Sequence, residues 1–374
     1  MNKQKKIATI TCHNVYNHGA SLQEYALLQY LSNLGYETET INYTPDYLSG
    51  HFNLLSVDNP RFKKNIFLKL FYILLKLPIK LFDFPRKKKF DAFSNEYIKT
   101  STKQYKHYRE LKKNPPEADI YICGSDQIWN SYFQNGKDPA FYLDFVPPEK
   151  LKISYAPSFA IEEIEDSLKD FVKEKVEKID AVSVRESSGQ RILSDLGISN
   201  VKQVLDPVFL LNEEEWKKIA SNVREKKYVL VYDFDNNLNI KKIAEELKIK
   251  NGLQIIALNK NVSYADKKYF HIGPNEFLGL LLNADFVLAN SFHALAFSLI
   301  FKKNFVVFNR NDKINTRMRD LLKLLHLEER MFDHKNFDYK KEIDYRKITN
   351  LLEEQIKKSK GFLKDSLIIE KSNA

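Results

Sequence analysis

The sequence predicts an α/β protein made of two doubly wound domains that face each other across a cleft. Two observations predict this fold class. Short apolar runs bounded by polar residues recur along the chain, and segments with apolar residues at helical spacing separate them. The chain also has 374 residues, more than one hydrophobic core usually serves. We therefore expect an N-terminal domain over residues 1–210 and a C-terminal domain over residues 211–374.

The N-terminal half begins with a strand, a loop, a helix and a second strand, an order that implies a right-handed βαβ unit. Its strands are predicted at residues 7–11, 37–41, 118–123, 152–155, 181–184 and 201–205. Its helices are predicted at residues 22–34, 162–178 and 187–196. A helical insertion rich in basic and apolar residues interrupts this pattern at about residues 60–115.

The C-terminal half opens at Asn212, a residue type that favours helix N-caps, and three glutamates follow it. Four strands are predicted at residues 228–234, 254–258, 286–289 and 305–308. Helices are predicted at residues 238–250, 275–282, 294–301, 321–327 and 345–358. This alternation predicts a second doubly wound domain.

The composition narrows the functional classes. Cys12 and Cys123 are the only cysteines, which excludes a disulfide framework and a cysteine-rich zinc site, and we expect no metal. The first residues contain no apolar signal-peptide core, so we expect a cytoplasmic protein. The formal net charge of +10 suits an anionic substrate or an anionic membrane surface. Because the lysines are widely spread and no nucleic-acid module is visible, we expect no nucleic-acid partner.

The segment at residues 284–300 is the centre of the functional prediction. An apolar strand pattern is followed by Asn290 and Ser291, both good N-cap types, then by His293 and an apolar helix pattern. Open parallel sheets bind ligands at such strand-to-helix turns, and a helix N-terminus favours an anion. His293 is thus either beside a phosphate- or carboxylate-sized pocket or a structural histidine in a tight turn.

Two loops of the N-terminal half follow predicted strands. The first carries Asn17 and Gly19, which either meet the polar edge of a ligand or only form a turn. It has no GxGxxG fingerprint, so no dinucleotide is predicted. The second carries Gly124, Ser125, Asp126 and Gln127. Gly124 permits close backbone approach, while Asp126 is either a turn residue or a carboxylate that can orient or deprotonate a hydroxyl.

Arginines supply the candidate anion contacts. Arg185 ends a predicted strand, where it either clamps a phosphate or carboxylate or pairs with Glu186 or another nearby acid. Arg310 and Arg317 follow the strand at residues 305–308. With their polar neighbours they form either part of the site or a solvated basic face.

Residues 66–89 form an apolar stretch interleaved with Lys69, Lys76 and Lys80, and a basic run at residues 86–89 closes it. The lysines and Pro78 argue against a membrane-spanning helix. Two interpretations remain open: a basic amphipathic helix lying on anionic lipid, or a helix packed on the first domain with its lysine stems directed outward.

Five short motifs occur in an order that resembles the polysaccharide pyruvyl transferase family, and the resemblance covers roughly residues 7–330. They are Asn17-x-Gly19-Ala20-x-Leu22-Gln23, Gly124-Ser125-Asp126-Gln127-Ile128-Trp129, Ser183-Val184-Arg185-Glu186, Asp206-Pro207 and Asn290-Ser291-Phe292-His293. The two doubly wound domains then correspond to the two Rossmann-like domains of the GT-B architecture. This chain departs from the family at Ser291-Phe292-His293, where many members carry a Ser-Arg-x-His pattern.

The resemblance implies transfer of a pyruvyl group from phosphoenolpyruvate to a sugar, as a ketal, with release of phosphate. Phosphoenolpyruvate is then a co-substrate and no cofactor is expected. The resemblance places Arg185 and His293 at the donor. We expect Ser291 with Arg310 or Arg317 to add anion contacts, His293 to be the general acid and Asp126 the base for the acceptor hydroxyl.

The expected partners follow from this reaction. The N-terminal domain would hold the acceptor, a precursor of a surface or capsular polysaccharide that could be lipid-linked, and the C-terminal domain would hold the donor. The protein could then touch the inner face of the membrane through residues 66–89. Two other functions remain open, namely a nucleotide-sugar glycosyltransferase on the same scaffold and a non-catalytic protein that binds anionic glycans.

Overall fold

The computed structural model describes residues 4–49, 62, 65–311, 315–333, 338–339 and 341–370, and it gives no side chains at 79 and 80. Residues 60, 61, 63 and 64 of the predicted insertion and the Lys80 side chain lie outside this description. The strands are β1 (Lys6–Ile10), β2 (Glu37–Thr40), β3 (Ile120–Cys123), β4 (Leu151–Ser154), β5 (Ala181–Val184), β6 (Lys202–Gln203), β7 (Tyr228–Tyr232), β8 (Gln254–Ala257), β9 (Lys267–Lys268), β10 (Phe286–Ala289) and β11 (Asn304–Val307).

Helices alternate with these strands. The α-helices are α1 (His18–Asn33), α2 (Asp46–Ser49), α3 (Ile66–Phe82), α4 (Phe84–Tyr97), α5 (Tyr108–Lys113), α6 (Asp166–Val176), α7 (Ser187–Asp195), α8 (Glu213–Ile219), α9 (Leu238–Asn251), α10 (Pro274–Asn283), α11 (Phe292–Ile300), α12 (Thr316–Leu324) and α13 (Tyr345–Leu367). Short 3₁₀ helices span Gln134–Lys137, Pro139–Tyr142, Pro207–Leu210 and Glu328–Arg330.

The first sheet is parallel, with the strand order β2-β1-β3-β4-β5-β6. Its central strands β3 and β4 are buried throughout, and β3 is accordingly a continuous apolar run, whereas β4 carries the buried polar residues Lys152 and Ser154. The strand order reverses between β1 and β3, where Ile10 pairs with Cys123. The loops after these two strands therefore part at a crevice beyond the carboxyl edge of the sheet, the usual ligand position in this fold.

The second sheet is also parallel, with the order β11-β10-β7-β8-β9. Its order reverses between β7 and β10, where Ala289 pairs with Tyr232. Four of its strands were predicted, whereas β9 was not. Lys267 and Lys268 form that edge strand and both are exposed, so no apolar run marks it in the sequence. The predicted fold class, two doubly wound Rossmann-like domains of GT-B type, is confirmed by this pair of sheets.

One continuous apolar cluster joins the two sheets, from Ile7 and Leu22 on the first to Leu230 and Leu295 on the second. His18 lies in this junction, stacked on Phe277 with 4.8 Å between ring centroids. Burial is the main cause that holds the pKa of His18 well below its ordinary value. A neutral imidazole is therefore part of the apolar contact between the sheets.

Helix α13 is longer than predicted and spans both halves. Tyr345 at its start contacts the Ser298 carbonyl, with 3.3 Å from the hydroxyl oxygen to the carbonyl oxygen. Further along, Ser359 Oγ accepts a hydrogen bond from the Leu205 backbone N–H at 2.9 Å. The chain thus returns from the second sheet to the first and ties the two together.

Helices α3 and α4 belong to the predicted basic, apolar insertion. Most apolar side chains of α3 are exposed, so the structure does not pack them on the first domain. Helix α4 is anchored by Phe90 and Phe93, which are both buried. Within the described ranges, no helix combines the length and the apolar character needed to cross a membrane.

Candidate active site

The loops at the two switch points meet around one small cavity of about 80 Å³. The loops after β1 and β3 form one wall, and the loops after β7, β10 and β11 with the start of α12 form the other. Eight of the residues that were predicted for the site line this cavity, and they come from both halves of the chain. They are Asn17, Asp126, Gln127, Asn290, Ser291, His293, Arg310 and Arg317.

His293 lies in the first turn of α11, as the strand-to-helix pattern predicts. Ser291 is the N-cap, and its Oγ accepts the Ala294 N–H at 3.5 Å. The imidazole is buried, and its Nε2 lies 3.5 Å from Asp206 Oδ2. This contact with the carboxylate orients the ring. His293 is therefore held beside the cavity by a carboxylate, not merely by a turn.

Gly19 lies directly against the imidazole of His293. It lies in the first turn of α1, which begins at His18 because Asn17 Oδ1 accepts the Gly19 and Ala20 N–H groups. A Cβ built on Gly19 would lie 1.9 Å from His293 Nδ1. No side chain fits there, so this glycine is required for close approach of the two sheets.

We expect Gly19→Ala to displace His293 and to lower turnover by roughly 100-fold, the scale of a 1 Å misplacement of a reacting group. Phosphate release with saturating substrates measures this loss. Gly361→Ala is the matched control, because Gly361 lies in helix α13 and no atom stands within 4 Å of the added Cβ. The control should keep its activity and gain up to about 1 kcal/mol in the free energy of unfolding. Equal activity of both variants would contradict this role of Gly19.

Arg185 follows β5 and connects three carboxyl-edge loops. Its Nη2 lies 2.8 Å from Asp206 Oδ2 and donates to Ser125 Oγ at 2.6 Å, while its Nη1 lies 3.7 Å from Asp126 Oδ1. The neighbouring acid Glu186 turns away and accepts from Ser158 Oγ at 3.0 Å and from the Ala160 N–H at 2.8 Å. The arginine therefore pairs with acids other than its sequence neighbour.

Asp206 is a site residue to which sequence reasoning gave no role. Its side chain is fully buried, which by itself would raise the pKa, but Arg185 and His293 outweigh this effect and hold the pKa at about 2. Asp206 Oδ1 also accepts the Val208 N–H at 3.0 Å and so caps the 3₁₀ helix Pro207–Leu210. The Asp206-Pro207 pair was the available sequence signal, because this buried carboxylate is fixed where that 3₁₀ helix begins.

Asp126 joins the two guanidinium groups. Its Oδ1 accepts from Arg317 Nη1 at 3.3 Å and lies near Arg185. Arg317 comes from α12, and burial lowers its pKa although Asp126 opposes this. Arg317 is not part of a solvated basic face, because its side chain is only 10% exposed. Such a face does include Arg319, which donates to Asn309 at the exposed surface.

A family model described as polysaccharide pyruvyl transferase matches residues 17–312, nearly four-fifths of the chain. The chain belongs to the polysaccharide pyruvyl transferase family. The match spans all the predicted site residues except Arg317, which lies beyond its end. The predicted family is therefore confirmed.

Solved structures similar to this pyruvyl transferase family member share little sequence with it. An α-glucosyltransferase in complex with UDP and a 13-mer DNA is 9% identical, with a TM-score of 0.48 over 97% of this chain and 93% of that one. A UDP-GlcNAc 2-epimerase from Neisseria meningitidis is 13% identical, with a TM-score of 0.44 over 98% of this chain and 95% of that one. A search of curated proteins found no match to the sequence.

Four residues predicted to contact substrate in this family member mainly support the site. Asn290 donates to Asp233 Oδ1 at 2.9 Å and accepts from the Phe234 N–H at 3.0 Å, which fixes the loop after β7. Gly124 has a φ of +125°, and a Cβ there would lie 2.0 Å from the Tyr155 carbonyl oxygen. Ser125 is buried under Arg185. Gln127 Oε1 accepts from Asn130 at 2.9 Å.

Gln23, from the first family motif, links two of the loops. Its side chain donates to Thr11 Oγ1 at 2.9 Å and accepts the Ser125 N–H at 3.0 Å. The loops after β1 and β3 are therefore held in register below the cavity. This residue was quoted in the motif but was not predicted to have a site role.

Phe292 occupies the departure from the family pattern at the turn before His293. The guanidinium carbons of Arg185 and Arg317 lie 5.0 and 5.5 Å from the centre of its ring. Arg310 lies against another aromatic ring, 4.9 Å from the centre of Phe234, and near Asp235. Positive charge thus reaches this turn from neighbouring elements.

Several buried donors of the site point to an anionic ligand. Within the described part of the chain, Arg185 Nε and Nη1 and Arg317 Nε have no hydrogen-bond partner. Buried guanidinium donors are normally satisfied, and a phosphate or carboxylate offers the matching acceptors. The described residues contain no group of three or more His, Cys, Asp or Glu side chains arranged to hold a metal ion.

Proposed function

We propose that this protein transfers the pyruvyl group of phosphoenolpyruvate to two hydroxyls of a sugar, forming a ketal and releasing phosphate. One observation carries the proposal. Two buried guanidinium groups carry nitrogen atoms without a hydrogen-bond partner: Arg317 lines the cavity together with His293, and Arg185 lies behind the lining residue Asp126, 3.7 Å from its Oδ1. Family membership gives this arrangement its reaction class.

The donor has two anionic groups, a phosphate and a carboxylate, and the cavity offers cationic and dipolar partners for both. Arg317 and Arg310 line it, and the N-terminus of α11 begins there at Ser291. Guanidinium groups bind such oxyanions through paired hydrogen bonds, and a helix N-terminus adds backbone donors. We assign these groups to the second sheet's side of the cleft, which is the donor side.

The reaction needs one proton donor and one weak base. Protonation of the methylene carbon makes C2 electrophilic, and a sugar hydroxyl adds at C2 while its proton leaves. The bond between C2 and the phosphate oxygen then breaks, and phosphate departs. A second hydroxyl adds at C2 and loses its proton, which closes the ketal. One of the two hydroxyl protons replaces the proton that was delivered to carbon, and the other leaves with the phosphate.

We assign proton delivery to His293, because imidazole exchanges protons near neutral pH and Asp206 holds this ring in place. We assign acceptance of the hydroxyl proton to Asp126. Its Oδ1 lies 3.7 Å from Arg185 Nη1 and 3.3 Å from Arg317 Nη1. A strongly electrophilic C2 requires only a weak base, so an ion-paired carboxylate suffices.

The acceptor would approach from the first sheet. A second cavity of about 210 Å³ lies at the same edge of that sheet. Its lining is polar and suits sugar hydroxyls, with side chains of Asn14, Tyr16, Thr44, Asp46, Ser49, Gln104 and Lys106. Because phosphoenolpyruvate is a metabolite of the cytoplasm, the proposal places the reaction there.

Phosphate release from phosphoenolpyruvate tests the proposal against a panel of lipid-linked and nucleotide-linked sugars. We expect release only when an acceptor is present, with a product whose mass has increased by a ketal-linked pyruvyl group. Release of UDP from a nucleotide sugar, without consumption of phosphoenolpyruvate, would show a glycosyltransferase instead. Binding of a glycan without turnover of any donor would show a non-catalytic protein.

A further inference from the structure

Helix α3 presents its apolar side chains to solvent. Phe67 is 77% exposed and Leu74 65% exposed, whereas the large apolar residues of the other helices are mostly buried. The exposed set continues from α3 into the start of α4. It comprises Ile66, Phe67, Leu68, Leu70, Phe71, Leu74, Leu75, Leu81, Phe82 and Phe84. A contiguous apolar surface of this kind usually marks a contact with another phase or another molecule.

The lysines of α3 lie on the opposite side of the helix from this apolar face. Positions advance by about 100° per residue, so Lys69 and Lys76 share one stripe while Phe67, Phe71 and Leu74 share another. The partly buried residues Tyr72 and Ile73 flank the lysine stripe. A helix of a soluble core would turn its apolar face inward, whereas in α3 both the apolar face and the lysines are exposed.

Helix α4 fixes α3 to the rest of the protein. Arg86 Nη2 donates to the Tyr16 carbonyl at 3.0 Å, and its guanidinium carbon lies 5.1 Å from the centre of Phe270. Lys87 pairs with Asp91, and Lys89 pairs with Glu276 on α10. Three residues of the basic run at 86–89 are therefore committed to contacts within the protein, and Lys88 remains exposed.

We propose that α3 lies flat in the surface of an anionic lipid bilayer, with its Phe and Leu face among the acyl chains and its lysines at the headgroups. The helix has 17 residues, enough for an apolar face about 25 Å long. Lysines opposite a Phe- and Leu-rich face characterise interfacial helices, and anionic headgroups complement their charge. The net charge of +10 acts in the same direction.

The position of α3 bears on the acceptor, an extension that rests on the proposed function. Tyr16 lines the 210 Å³ cavity on the acceptor side. Its carbonyl accepts a hydrogen bond from Arg86, which lies in the first turn of α4. The membrane surface would therefore lie beside the acceptor cavity. We infer that the acceptor is a sugar carried on a membrane lipid.

Co-sedimentation with vesicles tests the membrane contact. The protein should bind vesicles of equimolar phosphatidylcholine and phosphatidylglycerol. The variant Phe67→Ser/Phe71→Ser/Leu74→Ser should bind them at least tenfold more weakly, since each buried CH₂ contributes about a fourfold factor. Its control is Leu238→Ser/Ile249→Ser/Ile368→Ser, which removes apolar residues that are 78, 82 and 72% exposed elsewhere and should bind like the wild type.

The charge contribution has its own variant. Lys69→Gln/Lys76→Gln should weaken binding by roughly fivefold per lysine, and only for vesicles that contain phosphatidylglycerol. Failure of the wild type to bind the vesicles of phosphatidylcholine and phosphatidylglycerol would overturn the proposal, as would equal binding by the apolar variant and its control. A wild-type dimer in sedimentation velocity that the apolar variant abolishes, without vesicle binding, would assign the face to a second copy of this chain.

Activity measurements separate this inference from the proposed function. On a lipid-linked acceptor in vesicles, the apolar variant should lose at least tenfold in rate, whereas a water-soluble acceptor should be used at the wild-type rate. Equal loss on both acceptors would overturn the link between α3 and the acceptor. If the wild type binds vesicles but consumes no phosphoenolpyruvate with any acceptor, the membrane contact stands and the proposed reaction fails.

Discussion

Replacing His293 with glutamine should lower the turnover number by about 10²–10⁴-fold, the usual contribution of a positioned general acid or base. Glutamine keeps a polar side chain near Asp206 but cannot deliver a proton. Its effect on the affinity for phosphoenolpyruvate should be small, because the proposal assigns the anion contacts to the guanidinium groups. Steady-state phosphate release measures the rate, and calorimetric titration of phosphoenolpyruvate measures the binding.

His107→Gln is the control, since His107 is exposed and lies outside both cavities. It should behave as the wild type. A pH profile adds a second readout. The descending limb, on which the rate falls because the general acid loses its proton as the pH rises, should disappear in the His293 variant. Near wild-type turnover at every pH would remove His293 from the mechanism and leave it a structural residue.

Replacing Arg185 with methionine should cost about 3–5 kcal/mol in the free energy of unfolding, the usual penalty for leaving a buried charge without its partner. Asp206 is that charge, because its carboxylate is fully buried against Arg185. Urea unfolding measures the loss. The double variant Arg185→Met/Asp206→Asn should recover most of the lost free energy of unfolding, because an amide replaces the buried charge. It should remain inactive, because the proposed contact of Arg185 with phosphoenolpyruvate is lost.

The pH dependence of stability gives a further check on this pair. The pKa of Asp206 is depressed to about 2 in the folded protein, so its contribution is complete above the unfolded pKa near ~4 and is lost as pH falls toward 2. The double variant should lack this loss. Full activity in the double variant, or equal stability of the single variant and the wild type, would contradict the role of Arg185.

Much of the scaffold of this pyruvyl transferase family member could be predicted because its signals are local. Strands such as β3 and β10 are buried on both faces, which makes them unbroken apolar runs. Polar residues directly after these runs, Asp126 and Ser291, had to fall at the carboxyl edge of a parallel sheet. Helix α1 begins earlier than predicted, because its cap is a polar loop residue and not a break in periodicity.

The features that sequence could not give depend on distant partners. The contact of Arg317 with Asp126 joins residues 191 positions apart, and the pairing of Arg185 with Asp206 forms between the loops after two adjacent strands; neither has a local signature. The close fit of Gly19 against His293 is a property of the junction between the sheets. Periodicity showed that α3 has an apolar face, but only the fold shows that this face looks outward.

The His293 imidazole lies against Gly19 of the other half of the molecule, and the hydrogen bond between Asp126 and Arg317 crosses the same junction. Separation of the two halves would move Gly19 away from the His293 ring and would also move Arg185 away from Arg317. The proposed reaction therefore depends on contact between the two halves. In the proposed reaction, phosphoenolpyruvate bound to separated halves would not meet the acid in its place.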